Sequence, residues 1–206
     1  MLVPPLAFAH EPMSAALLDE ARPLLAEHWR EIAPYDDIPL DVDTHHYLAA
    51  GEAGVCRCYT VRVGDQLVGY ALFFVRPAPH YAGSLQAAQD VLYLHPSMRG
   101  GAGAEFIAYC DEQLRACGVQ VVHHHAKHAH PQLGKALERL GYEPVETIYS
   151  KRLDVGRDSL LLNGDPTAID APRGVLSGAD LIDFSDLMRQ TIEGRVFAEM
   201  GCEDGG

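Results

Sequence analysis

Between Leu92 and Phe106 the chain sets chemistry-bearing residues in an order that suits an anion. The apolar segment Leu92-Tyr93-Leu94 is followed by Pro96, then by Arg99-Gly100-Gly101-Ala102-Gly103-Ala104, then by a helical pattern. Where a strand, a glycine-rich turn and a helix N-terminus meet, unpaired backbone N–H groups converge and the helix dipole adds positive potential. Glycines let a diphosphate lie against the main chain. Arg99 adds a formal charge and fork-shaped donors. A P-loop would need Gly-Lys-Ser/Thr after the turn, whereas this chain gives Gly-Ala-Glu. A dinucleotide fingerprint would need G-x-G-x-x-G, and that spacing is absent. A turn that merely connects two elements is the alternative.

A second cluster is His123-His124-His125 with His128 and His130. His123 and His125 share one face of a strand, and imidazoles suit zinc. No cysteine or clear carboxylate completes a ligand set, so no metal site is expected. Some of these rings are expected to line a substrate cleft. Trp29, Tyr35, His45, His46 and Tyr47 gather in the first helices and their loop, beside Asp36, Asp37, Asp41 and Asp43. An acidic loop on a cleft favours a cationic amine; packing is the plainer role for each aromatic.

Those residues need elements to position them. PLAFA, residues 5 to 9, reads as a strand. Residues 13 to 32 repeat Leu17, Leu18, Ala21, Leu24, Leu25 and His28 at helical spacing, with Ser14 as cap and Pro23 expected to kink or split the helix. Asp43 caps a short helix, THHYLAAGE. VCRCYTVRV and QLVGYALFFV form a hairpin about Gly64-Asp65. RPAPHYAGS reads as a loop and LQAAQDVLYL as a strand. Residues 103 to 117 are helical, with Phe106, Ile107, Cys110, Leu114 and Cys117 on one face and Gly118 as the stop. VQVVHHHAK is a strand, Pro131 opens a helix that Gly141 ends, and EPVETIYSKRL is a last strand. The order predicts an α/β fold with a mixed sheet flanked by helices. Residues 154 to 206 are rich in turn residues and hold one amphipathic pattern, SGADLIDFSDLMRQTIEGRVF, so they read as a C-terminal extension.

The chain has 206 residues, 48% hydrophobic and 22% charged, with a net charge of −13. This is the composition of a globular protein. No basic run is present, which argues against nucleic acid as a partner. No apolar run reaches the roughly 18 residues of a membrane span, and MLVPPLAFAHEP lacks the features of a signal peptide. A cytoplasmic location is expected, with no membrane partner.

LYLHPSMRGGAGAEF resembles the acyl-CoA-binding motif of the GNAT acyltransferase superfamily, an apolar strand ending near proline, then Arg/Gln-x-x-Gly-x-Gly/Ala, then a helix. Pro96, Arg99 and Ala104 fit; Ala102 stands where the family usually has glycine, and adds a methyl near the pyrophosphate. HPQLGKALERLGYEPVE is similar to the family's second signature. VGYALFFVRP, QDVLYLHP and ERLGYEPVETIYSKRL resemble members from bacteriophages and prophages. The resemblance covers residues 1–153, leaving 154–206 outside. It implies a GNAT-like sheet and acetyl transfer from acetyl-CoA, as co-substrate, to a primary amine on a small molecule or peptide. It also implies site residues. Arg99, Gly100, Gly101, Ala102, Gly103 and Ala104 would hold the pyrophosphate. Leu92, Tyr93 and Leu94 would bind the pantetheine arm, and the Leu94 N–H would stabilise the oxyanion. His130 stands where an asparagine often contacts the cofactor. Asp90 is the candidate base, or else a strand-end carboxylate facing solvent. The family's tyrosine acid falls at Leu137, and Tyr142 matches a core aromatic instead. The missing acid, Ala102 and the tail leave a second reading, a virion-associated protein that keeps the fold without catalysis. In either reading the tail offers a surface for a homo-oligomer or a phage assembly partner.

Overall fold

A computed structural model describes residues 5–35 and 37–153. One compact unit reaches to Glu143 and a second begins at Pro144. In the first, β1 (Leu6–His10), α1 (Ala15–Ile32), α2 (Thr44–Glu52), β2 (Cys56–Val63), β3 (Gln66–Ala78), β4 (Tyr81–Leu94), α3 (Gly101–Ala116), β5 (Val121–His123) and α4 (Pro131–Arg139) follow in order. The strands lie in one sheet, β1-β2-β3-β4-β5. β1 to β4 pair antiparallel, and β5 joins β4 in parallel. The mixed sheet expected from the sequence is what forms.

Both faces of the sheet are covered. On one face Phe106, Cys110 and Leu114 of α3 pack with Tyr59, Val61, Phe73 and Ala87 into the main core. On the other, α1 lays His28 against Tyr93, ring centroids 4.9 Å apart, and Tyr47 of α2 stacks on Phe74. Burying such apolar faces is the main source of stability, at about 25 cal/mol per Å². The end of α1 nearest β1 is tied down by ions: Arg62 of β2 bonds Glu11 through Nε and Glu20 through Nη1, at 2.7 and 2.8 Å.

Local signals hold at the caps. Ser14 Oγ accepts from Leu17 N, and Asp43 Oδ1 accepts from His46 N. One expectation is narrowed and three are corrected. Pro23 sits inside α1 without splitting it; tertiary packing on both sides of the proline outweighs one lost backbone bond. RPAPHYAGS is not a loop, because β3 and β4 run on as a long hairpin to Ala78 and Tyr81. The strand over the histidines is short, pairing only at Val121–His123. EPVETIYSKRL forms no strand: Val145, Ile148 and Tyr149 are 73%, 68% and 91% exposed, and alternation gives strand propensity without a partner to pair. The amphipathic pattern in 154–206 lies outside the described residues. Among the described residues no helix is long and apolar enough to cross a membrane.

Candidate active site

Two backbone irregularities shape the site. Leu72 pairs with Val91 and Phe73 with Gln89, so Asp90 is an extra residue, a β-bulge in β4. Bulges bend a strand and re-aim side chains. Here the bulge turns Asp90 toward α2, where Tyr47 donates its hydroxyl to Asp90 Oδ2 at 2.7 Å. The second irregularity is an open edge. β5 pairs with β4 only at Gln86, Ala87 and Ala88, while β3 pairs with β4 as far as Leu94. His95 N donates to Val68 O of β3 at 2.8 Å. Strand alternation therefore turns the backbone groups of Leu94 and Leu92 the other way, to the unpaired edge. Such groups need partners.

That edge runs into the glycine turn. Pro96–Met98 form a single 3₁₀ turn, and Gly100, at φ +115°, starts α3 with no side-chain cap. Only glycine adopts that φ without strain. The first N–H groups of α3 are left without a capping side chain, and a Cβ built on Gly100 or Gly103 meets nothing within 4 Å. Ala102 is the reverse case. It packs against the core, so its methyl lies on the core side of α3.

Arg99 is engaged. Its Nη1 and Nη2 fork onto Glu31 at 2.8 and 2.6 Å, and its Nε donates to Leu94 O at 2.9 Å. The guanidinium also lies over the Tyr93 ring, 5.6 Å from its centroid. This ion pair holds the Glu31 carboxyl below its usual range. His130 Nε2 donates to the Glu31 backbone carbonyl at 2.9 Å. Arg99 thus clasps the C-terminal turn of α1 to the start of the glycine turn, and His130, the N-cap of α4, ties the same turn of α1 to the start of α4. Each side chain, expected from the sequence to contact the cofactor, is occupied by α1. Glu31 carried no signal in the sequence, since it is 68 residues from its partner.

Between α1, α2, the loop at 40–43 and the sheet lies a cavity of about 550 Å³. Trp29, His46, Tyr47, Asp41, Asp43 and Asp90 line it; Tyr35 and His45 do not. Asp36 lies outside the described residues. Burial pushes the Tyr47 hydroxyl up, and its bond to Asp90 adds to this. Burial also pushes the Cys56 and Cys58 thiols up to about 12, so neither is a thiolate nucleophile.

The histidines divide by face. His123 reaches Gln86, and His124 reaches Gln89 with Nδ1 at 2.6 Å. Among the described residues no group of three ligating side chains forms a metal site. Leu137, where the acid was sought, is buried. The Tyr142 hydroxyl donates to Asp111 at 2.5 Å, and the ring meets His124 edge-on.

Burial drives the His28 and His124 imidazoles down to about 4. Nearby Arg99 and Lys127 press His28 further the same way, against the pull of Glu31. Both rings are neutral in the fold, while the unfolded chain protonates them near pH 6.5. Their contribution is therefore intact above pH 6.5, is lost as pH falls toward 4, and is constant below. Each loss is on the order of 3 kcal/mol. Denaturant titrations at pH 7 and 4.5 should show a marked fall in stability, and His124→Asn should make that fall shallower. An unchanged pH dependence in the variant would contradict the assignment.

No protein-family model matches the chain, and no curated protein does. Solved structures do. A ribosomal-protein-alanine N-acetyltransferase from Brucella melitensis biovar Abortus 2308 superposes with a TM-score of 0.55 at 19% identity, over 72% of this chain and 99% of that one. The fold is that of the GNAT acetyltransferases. An aminoglycoside acetyltransferase from an uncultured soil metagenomic sample matches at TM-score 0.55 and 16% identity, over 71% of this chain and 96% of its own. A third, AAC(6')-Iy in complex with a CoA bisubstrate analog, matches at TM-score 0.53 and 19% identity, over 72% and 97%. Within this GNAT fold the open edge of β4, the bulge at Asp90 and the uncapped turn all fall in the compact unit ending at Glu143.

Proposed function

We propose that the protein is an N-acetyltransferase that moves an acetyl group from acetyl-CoA to a primary amine, with residues 1–153 as the catalytic unit and 154–206 appended. The observation that carries this reading is the continuity between the open edge of β4 and the uncapped glycine turn. A pantetheine arm needs main-chain partners along a strand, and a pyrophosphate needs converging N–H groups. Here the two lie end to end, with free space over Gly100 and Gly103. The acetyltransferase neighbours in fold support the same chemistry.

Acetyl-CoA supplies an acetyl group activated as a thioester. The backbone groups of Leu92 and Leu94 hold the arm, and those of Gly100 to Ala104 hold the diphosphate. Tyr93 contributes its ring as the platform under Arg99. Arg99 and His130 are positioning residues, since both grip α1. With the Leu94 carbonyl already taken by Arg99, the Leu94 N–H is left to stabilise the oxyanion. Asp90 takes a proton from the ammonium, whose pKa in water is roughly 10. The neutral nitrogen then bonds to the acetyl carbon, the C–S bond breaks with its electron pair on sulfur, and the second N–H proton ends on the thiol. A thiolate leaves readily, so Leu137 in place of an acid does not prevent transfer.

Calorimetric titration with acetyl-CoA should give micromolar binding, weakened about ten-fold in Arg99→Ala. Absence of binding at millimolar ligand would remove the acyltransferase reading. Binding without turnover on any amine would favour the second reading, a non-catalytic protein that keeps the fold; the buried Leu137 at the acid position is the observation behind it.

A further inference from the structure

We propose, building on the acetyltransferase reading, that the acceptor is a hydrophobic primary amine, a single ammonium on an alkyl or aralkyl body. The cavity beside Asp90 sorts its lining by depth. Leu17, Leu18, Ala21, Leu67 and Leu72 are buried and form its interior. The polar atoms there are few: His28 Nδ1 and the Tyr70 hydroxyl bond each other at 3.0 Å, and the Cys58 thiol stays protonated. The carboxylates lie at the rim, where Asp41, Asp43 and Asp90 are exposed.

One carboxylate at this rim is aimed. The bulge and the Tyr47 hydroxyl fix Asp90 beside Val91, on the strand that carries Leu92 and Leu94. Asp43 already caps α2 through His46 N. An ammonium therefore finds its charge partner at Asp90, next to the transfer point, and whatever is attached to it extends into an apolar chamber. A volume of about 550 Å³ lies within the range of small-molecule pockets. A polyhydroxylated or polycationic acceptor would have to desolvate many polar groups against leucines with few polar atoms to bond them, which is unfavourable. Trp29 and Leu25, both half-buried, extend the apolar wall. Proton and bond changes are those of the reaction above: the ammonium loses one proton to Asp90, its nitrogen gains the acetyl group, and the thiol leaves.

The test uses the full chain, saturating acetyl-CoA and thiol release as readout, with n-alkylamines from ethylamine to hexylamine beside ethanolamine and spermidine. kcat/KM should rise about three- to four-fold per methylene, as transfer of a CH₂ from water predicts, and spermidine should be poor. A flat series, or a preference for spermidine, would overturn the inference while acetyl-CoA binding kept the acetyltransferase reading alive. Should acetyl-CoA fail to bind, calorimetry with hexylamine and ethylamine alone decides the pocket. Binding that strengthens with chain length supports the assignment of its chemistry, and no binding of hexylamine refutes it.

Discussion

Gly103→Asp is expected to abolish acetyl-CoA binding, by 100-fold or more, while leaving the protein as stable as before or slightly more so. The two effects separate because they act on different partners. Gly103 is the third helical residue of α3, after Gly100 as cap. A carboxylate there faces the positive end of the helix dipole, which stabilises a helix by about 0.3–1 kcal/mol. Replacing a helical glycine by aspartate adds only a few tenths of a kcal/mol, about 0.3, since aspartate ranks next to glycine in helix propensity. The new side chain has room, since nothing lies within 4 Å of its Cβ. It would occupy the N–H groups meant for phosphate and repel the diphosphate itself. Each charge-assisted hydrogen bond lost is worth roughly 1.5–3 kcal/mol. Gly103→Ala is the companion: it should keep or raise stability and weaken binding far less. Calorimetry and thermal unfolding on both variants read the result. Unchanged affinity in Gly103→Asp would mean that the turn only connects β4 to α3.

That turn was legible in the sequence because its signals are local. Glycines at a helix start, Ser14 and Asp43 as caps, and Gly64-Asp65 between two apolar runs each act over a few residues, so spacing alone reports them. What escaped depends on pairing across the fold. RPAPHYAGS looked like a loop because Pro77 and Gly83 weaken strand propensity, yet the long pairing of β3 with β4 carries both. EPVETIYSKRL looked like a strand, but nothing pairs with it among the described residues. The Glu31–Arg99 fork and the Tyr47–Asp90 bond join elements far apart in sequence, and no periodicity marks such partners. Ala102 shows the same limit at one residue. Its departure from the family pattern adds a methyl, and only the register of α3 against the core shows on which side of the helix that methyl packs. The bulge at Asp90 decides most about the site, and a sequence displays a bulge only when a glycine or proline marks it. Here it falls on an aspartate.

Asp90→Asn is expected to lower kcat/KM by about 100- to 1000-fold for an ordinary alkylamine at pH 7, with acetyl-CoA affinity unchanged. General bases contribute gains of that size. Asparagine keeps the shape of the side chain and still accepts the Tyr47 hydroxyl through its amide oxygen, so the bulge and the α2 contact persist. What it loses is the capacity to take a proton and the charge that draws an ammonium. Two comparisons test whether these losses depend on the proton of the acceptor. A weakly basic acceptor, such as a fluorinated ethylamine, is largely neutral at pH 7 and needs no base, so the variant should lose far less with it. Raising the pH toward the pKa of an ordinary amine, roughly 10, should narrow the gap between wild type and variant for the same reason. Tyr47→Phe should fall between the two proteins, because it frees Asp90 from its fixed orientation without removing the carboxylate. An equal loss with both amines at every pH would mean that Asp90 acts on neither the charge nor the proton of the acceptor and serves only to shape the cleft. No loss with either would return it to a carboxylate at the bend of a strand, and the proton would have to leave through water held elsewhere along the cleft.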